Sequence, residues 1–324
     1  MALELNENFD LNTESFFRNA GWLSPNETII SYEKAGEGNM NFVFRLTTNA
    51  RSIIVKQSRA YVQKYPQIAA PIERIFVEDA YYQQIASNQT MASFSPKVLI
   101  VDKTNHLMLM EDLGKGSDYS FLYKRDMVIN EADLLQFVTY LNALHDIEPV
   151  NFIDNSGMKN LNAEHLYNYP FLVENGFNLE LIQEGLQVLA NHFKTNETLK
   201  KAISAINKRY LSNGKYLLHG DFYFGSWLKV GDKPKIIDPE FAFCGDREFD
   251  LGVMIAHLKM AQQPSELINK VLEKYAHSID SKLLNAYIGC EILRRIIGLA
   301  QLPLELNLDE KESLCYEAQN LILA

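Results

Sequence analysis

LLHGDFYFGSWL, residues 217–228, sets one carboxylate, Asp221, directly after a His-Gly step in a run that is otherwise apolar and aromatic. An ionised carboxylate is costly to bury without a partner or a task, so Asp221 calls for one. Ser226 lies five residues further on, and a second acidic pair follows in IIDPEF (236–241), where Asp238 and Glu240 flank a proline. Short apolar runs at 215–218, 227–230 and 234–238 read as strands around these residues.

Outward from this stretch the two sides of the chain differ. C-terminal to Gly114 the pattern is mostly helical, with helices expected at 131–146, 178–194, 197–211, 248–262, 264–276, 280–300 and 309–322. The N-terminal side opens with a helix over 13–23. Three strands rich in Ile, Val and Phe follow within 27–57, then a helix from Pro71 to about Ser87, then the strands KVLIVD and HLMLMED. A small five-stranded lobe with one main helix, followed by a larger helical lobe, predicts an α+β fold with domains at 1–113 and 114–324. The length of 324 residues agrees with two lobes rather than one core.

Composition excludes several classes. The formal net charge of −10, without a basic cluster, argues against a nucleic-acid partner. No apolar run approaches the roughly 18 residues of a membrane span, and the start MALELNENFDL has no secretion-signal pattern. Cys244, Cys290 and Cys315 are few and far apart. They read as free thiols of a cytoplasmic protein, without metal-ligand spacing.

Taken singly, the remaining candidates are weak. GEGNMNFVFR (36–45) turns between two strands, and Gly38, with Asn39 and Asn41, would let backbone amides approach phosphate oxygens; an ordinary hairpin does the same without a ligand. Lys56 on the third strand and Glu78 on the following helix are by default solvent-facing, yet a Lys–Glu pair in these places is a kinase arrangement. The fifth strand exits at Glu111 and Leu113, where a kinase hinge bonds adenine. A kinase catalytic loop carries an aspartate base, then a metal ligand five residues on. Asp221 and Ser226 have that spacing, with Ser in place of Asn, and Asp238 and Glu240 stand where magnesium-binding acids belong. In this order, Lys56, Glu78, Asp221, Ser226, Asp238 and Glu240 together predict an ATP- and magnesium-dependent phosphotransferase. Asp250, just before an apolar helix, reads as an N-cap. His219 reads as a loop-shaping ring, and His145 as a polar helix end.

HGDFYFGS, IIDPEF and EFDLGVMIAHL resemble the aminoglycoside phosphotransferase and choline kinase superfamily. Together with GEGNMNFVFR, IIVKQ, LMLMEDL, Ser226 and EILRRIIGLAQ (291–301), the likeness is closest to the methylthioribose kinase family. The resemblance implies a protein-kinase-like two-lobed fold, ATP with Mg2+, and a small-molecule hydroxyl substrate that is sugar-like. It implies Asp221 as base, Asp238 and Glu240 as metal acids, Lys56 on the phosphates, and Glu111 with Leu113 at the hinge. Asp221, Tyr223, Arg294 and Arg295 would face the substrate. Helix neighbours point about 100° apart, so one arginine is expected to face the substrate and the other to form a structural ion pair. The chain departs from that family in two places. No Trp lies between Lys56 and Glu78, and Phe222, Tyr223 and Phe224 stand where Leu-His-Thr is usual. An alternative is a choline, ethanolamine or aminoglycoside kinase, with Tyr223, Phe224 and Trp227 as aromatic walls for a cation and the acidic segment 305–312 beside them. A second alternative, resting on Ser226 alone, is a non-catalytic nucleotide-binding pseudokinase.

Overall fold

The computed structural model describes residues 3–36 and 40–324. It divides into two compact units, Met1–Lys115 and Gly116–Ala324.

The first unit opens with helix α1 (Leu11–Asn19), capped by the Asp10 side chain on the Thr13 amide. A five-stranded antiparallel sheet follows, built from β1 (Ile29–Lys34), β2 (Phe42–Thr48), β3 (Ser52–Gln57), β6 (Val98–Asp102) and β7 (Leu107–Glu111), in the order β1-β2-β3-β7-β6. The period-2 pattern of β2 buries Phe42, Phe44 and Leu46. Ile53, Val55, Leu107 and Leu109 join them, with Phe17, Trp22 and Leu23 from the N-terminal segment closing the cluster. Strand β3 breaks its alternation at Lys56, which is buried next to buried Val55 and Gln57. A lysine buried against the strand pattern needs a partner on the opposite face, and α2 (Arg74–Ile85) supplies one.

This unit also holds elements absent from the sequence reading: a small hairpin of β4 (Tyr61–Val62) and β5 (Tyr65–Ala69), and a short helix α3 (Gln89–Phe94). Helix α2 begins at Arg74 rather than Pro71, because residues 71–73 form a turn.

The second unit is helical around short sheets. Its helices are α4 (Glu131–His145), α5 (Ser156–Ala163), α6 (Leu186–Lys194), α7 (Glu197–Leu211), α8 (Glu248–Met260), α9 (Ser265–Lys274), α10 (Ser281–Ile297) and α11 (Leu308–Leu323). Strand β8 (Ser117–Asp118) pairs with β10 (Trp227–Val230), which pairs with β11 (Lys233–Ile236); β9 (Tyr216–Leu218) pairs with β12 (Phe243–Gly245). The helix expected over 178–194 is two pieces, a 3-10 turn at Leu179–Leu181 and then α6. Gly185 divides them. Its φ of 81° is left-handed, and an added Cβ would meet Leu308 Cδ2 at 2.7 Å. Helix α5, which runs on into a π-turn at Glu164–Asn168, escaped the sequence reading because its Ser, Gly and Asn residues are poor helix formers. Helices α8 and α10 pack against each other and are buried along most of their length, which makes them rigid carriers for the groups described next.

Candidate active site

In the first unit the Lys56 Nζ lies 2.6 Å from Glu78 Oε2, both side chains buried. Each group offsets part of the other's desolvation penalty, so the lysine is held at a fixed point of the sheet. Asn41 is also buried, its side-chain oxygen accepting from Arg74 Nε at 2.9 Å. Arg74 donates further to the carbonyls of Met40, Arg59 and Pro71, which ties the start of β2 to the segments before α2. Gly38 and Asn39 lie outside the described residues. At the end of β7 the Glu111 amide donates to Lys97 O at 2.8 Å, while Leu113 is half-buried just beyond the strand. That amide is therefore engaged within the sheet, which narrows the hinge contacts expected of Glu111 to its carbonyl.

In the second unit the opening stretch leaves β9 as a loop braced at several points. The Asp250 carboxylate, fully buried on α8, accepts the amides of His219 at 2.7 Å and Gly220 at 3.0 Å. Gly220 has φ 83°, and a Cβ there would fall 2.1 Å from Phe241 O, so only glycine passes. The His219 ring takes the Asp221 amide on Nδ1 at 3.4 Å and meets Ile237 O through Nε2 at 3.0 Å. The neutral ring with its proton on Nε2 satisfies both contacts, so the loop-shaping role expected for His219 is what the ring does. The Ser226 hydroxyl, also buried, donates to Asp221 O at 2.6 Å. Phe222, Phe224 and Trp227 are wholly buried, with Trp227 stacked on Phe137 at 4.0 Å. The loop is thus anchored by its aromatics and leaves the Asp221 side chain only partly covered.

One sequence expectation changes here. Asp250 caps no helix: it sits inside the first turn of α8 and holds the loop instead. His145 ends α4 as expected. It is buried there, bonds Tyr275 OH at 2.7 Å through Nδ1 and stands 3.6 Å from Asp250 through Nε2. Both residues act on a site distant in sequence, which local pattern does not reveal.

Arg294 and Arg295 both approach Asp221, and Arg294 is held further by its Nη1, which donates to Asn162 Oδ1 at 2.7 Å. Their Nη2 atoms lie 3.8 and 3.6 Å from the same oxygen, Asp221 Oδ1. Each is also paired with Glu291, Arg294 Nε at 3.0 Å and Arg295 Nε at 2.7 Å. The Arg295 guanidinium lies 4.9 Å from the centroid of the Tyr223 ring, which is half-buried. Burial pushes the Asp221 carboxyl up to about 6, although Arg295 and Arg294 pull it down; Glu291 and Asp238 add to the rise. A carboxyl so poised is suited to accept a proton near neutral pH.

Asp238 follows β11 in a left-handed conformation, φ 64° and ψ 48°, unusual for a residue with a side chain. Such backbone strain concentrates at functional sites. Glu240 is buried, its carbonyl receiving the Asn155 side chain at 3.1 Å. The donor chemistry of Asp238 and Glu240 is hard oxygen, which fits magnesium. Among the described residues no group of three or more His, Cys, Asp or Glu is arranged to hold a metal unaided. Ser226, expected as a further ligand, has its hydroxyl proton directed to the Asp221 carbonyl.

The aromatic walls expected for a cationic substrate are not available in full. Phe224 and Trp227 are core residues, and only Tyr223 is accessible. In the acidic segment, Glu305 and Glu310 are engaged by Arg125. Glu291, His257 and Tyr123 were not singled out in the sequence. The one available signal was an acid three and four residues before an arginine pair on an otherwise apolar helix.

A family model described as "Phosphotransferase enzyme family" matches residues 31–277. A methylthioribose kinase of Exiguobacterium sibiricum is 24% identical, covering 84% of this chain and 80% of its own. A methylthioribose kinase of Bacillus cereus is 25% identical, covering 90% of this chain and 83% of its own. Among solved structures, a choline kinase of Streptococcus pneumoniae superposes with TM-score 0.56 at 13% identity, over 96% of this chain and 99% of the other. An aminoglycoside phosphotransferase with ADP bound gives TM-score 0.54 at 15% identity, over 97% and 100%. These neighbours share the kinase-like fold.

Proposed function

We propose, for a chain that belongs to the phosphotransferase enzyme family, that it transfers the γ-phosphoryl group of ATP to a hydroxyl of a sugar-like small molecule, in the manner of the methylthioribose kinases it resembles. The observation that carries this reading is the convergence of Arg294 and Arg295 on Asp221. The carboxylate is a base for a hydroxyl proton. The two guanidiniums present a fork of N–H donors matched to the oxygens of a polyol.

Each residue then has a definite task. Lys56, fixed by Glu78, meets the nucleotide phosphates. Asp221 orients the acceptor hydroxyl and takes its proton late, as the loose transition state develops. The loop braced by Asp250, His219 and Ser226 holds that carboxylate in place, so positioning accounts for much of the rate. Asp238 and Glu240 would hold magnesium on the protein side. When bound, the metal would supply charge neutralisation at the phosphate oxygens.

The same pair of arginines weighs against choline, ethanolamine and aminoglycoside acceptors, because it already pairs with the carboxylates of Asp221 and Glu291 that a cationic group would need. The presence of all three acids, Asp221, Asp238 and Glu240, weighs against the pseudokinase reading, whose motive is Ser226 alone. No helix among the described residues is long and apolar enough to cross a membrane. With three free cysteines, the cytoplasm is the compartment this reading assigns.

The test is a panel of candidate acceptors scored by coupled ADP release. It should contain methylthioribose, other pentoses, choline, ethanolamine and an aminoglycoside. Turnover of a sugar, with none of the amino alcohols accepted, is the expected result. Turnover confined to the cationic acceptors would overturn the reading.

A further inference from the structure

Adjacent residues on a helix diverge by about 100°, yet Arg294 and Arg295 reach the same oxygen of Asp221. Something must draw the two guanidiniums together. Glu291 lies three and four residues before them on α10, on the helical face the pair shares. One of its oxygens, Oε2, is 3.0 Å from Arg294 Nε, and the other, Oε1, accepts from Arg295 Nε at 2.7 Å. With each Nε beside Glu291, the Nη2 of each guanidinium faces Asp221, while Arg294 Nη1 donates to Asn162 Oδ1 at 2.7 Å and Arg295 Nη1 to Ala300 O at 3.5 Å.

Glu291 is itself held. His257 on α8 meets Glu291 Oε1 through Nε2 at 3.0 Å, and its Nδ1 contacts the Tyr123 hydroxyl. Burial pushes the Tyr123 hydroxyl well above its ordinary pKa, so it keeps its proton. Burial likewise lowers the His257 ring to about 4, although Glu291 pulls it up. Burial would raise the Glu291 carboxyl, but Arg294, Arg295 and His257 together bring it well below the usual range. The protons therefore run in one sense. Tyr123 donates to His257 Nδ1, and His257 Nε2–H donates to Glu291.

We propose that Glu291, oriented by His257 and Tyr123, is the positioning residue that aims both arginines at the catalytic carboxylate and so sets the affinity for the acceptor. The proposal rests on the phosphotransferase reading of Asp221. It goes beyond it by naming a buried chain of three residues, none of which touches the acceptor, as the determinant of the arginine geometry.

The charges support a positioning role over an anion site. Two guanidiniums face two carboxylates, Asp221 and Glu291, so the four-group cluster is close to neutral. Replacing Glu291 by Gln removes one charge and one acceptor. An amide offers a single oxygen, which cannot serve Arg295 and Arg294 on opposite sides, and its NH2 would face one of the guanidiniums. His257→Gln keeps a side-chain N–H donor near the place of Nε2, whereas His257→Leu has none.

The experiment uses the full chain and two readouts. Steady-state kinetics with methylthioribose, or whichever sugar of the panel turns over, separates the KM of the acceptor from that of ATP. In Glu291→Gln the acceptor KM should rise about tenfold or more, with the KM of ATP changed less than about twofold. His257→Leu should move in the same direction, and His257→Gln should return toward wild type. A purely structural role would instead lower the melting temperature of both His257 variants alike, without this split. The second readout is the Nε–H resonance of Arg295 in 15N-labelled protein, assigned through Arg295→Lys. It should shift when the carboxylate becomes an amide in Glu291→Gln. If the acceptor KM and this resonance both stay as in wild type, the positioning role is wrong. If wild type turns over no sugar, the functional reading fails, while the resonance still decides whether Glu291 holds the arginine.

Discussion

At the scale of single residues, the decisive feature is a carboxylate given two opposed instructions. Burial raises Asp221, and two guanidiniums restrain the rise. Asp221→Asn keeps the shape and removes the base. It should lower kcat by about 10²–10⁴-fold while leaving the affinity for a nucleotide analogue unchanged, as read by fluorescence titration. Normal turnover in that variant would reassign the base. Glu240 makes a second case. Its burial and its place two residues after the strained Asp238 suit a metal-facing acid. Glu240→Gln removes a formal charge beside a divalent ion. The magnesium concentration for half-maximal rate should therefore rise strongly at saturating ATP. An unchanged magnesium curve would leave Asp238 as the metal acid and Glu240 as a buried structural carboxyl.

At the scale of elements, the loop from β9 is held by a helix that starts thirty residues later. A single buried carboxylate on α8 satisfies two consecutive amides, those of His219 and Gly220. Asp250→Asn supplies one acceptor where two are needed, and its NH2 meets an N–H. The variant should lose about 1–3 kcal/mol of stability, the cost of a buried amide left without a partner. Its kcat should fall more than its nucleotide affinity, because the loop carries Asp221. Chemical denaturation and steady-state rates measure the two effects. A stable but inactive variant would still agree with a loop-holding role, whereas a stable and fully active one would not.

At the scale of the whole molecule, stability should depend on pH through His257. Its ordinary pKa is near 6.5, and burial lowers it to about 4 in the folded chain. Between these values the unfolded chain binds the proton and the folded chain does not. Stability therefore rises with pH through that window. The contribution is fully present above about pH 6.5 and is lost as pH falls toward 4. Asp221, raised to about 6, acts in the opposite sense over much of the same window, so His257 is read from a difference: the gap in melting temperature between wild type and His257→Gln should narrow as pH falls from 7 to 4. Parallel curves for the two proteins would show that other groups control the acid limb.

What the sequence determined by itself is what chain-local chemistry can encode. Short runs rich in Ile, Val and Phe between turn residues marked the five strands of the first unit's main sheet, and helical periodicity marked most helices of the second unit. The order Lys56, Glu78, Asp221, Asp238, Glu240 carried the phosphotransferase reading, because spacing against strand and turn is a property of the chain. Tertiary structure decided the rest. Gly185 divided an expected helix because its backbone is left-handed, a conformation that breaks the helical path and favours glycine. Asp250 and His145 looked like helix-end residues, and packing buried both behind the loop that carries Asp221. Phe224 and Trp227 looked like walls for a ligand, and packing made them core. The two arginines were legible as a pair, but their convergence was not. Helix geometry alone sends them apart, and a carboxylate one turn earlier, held from the next helix, brings them together.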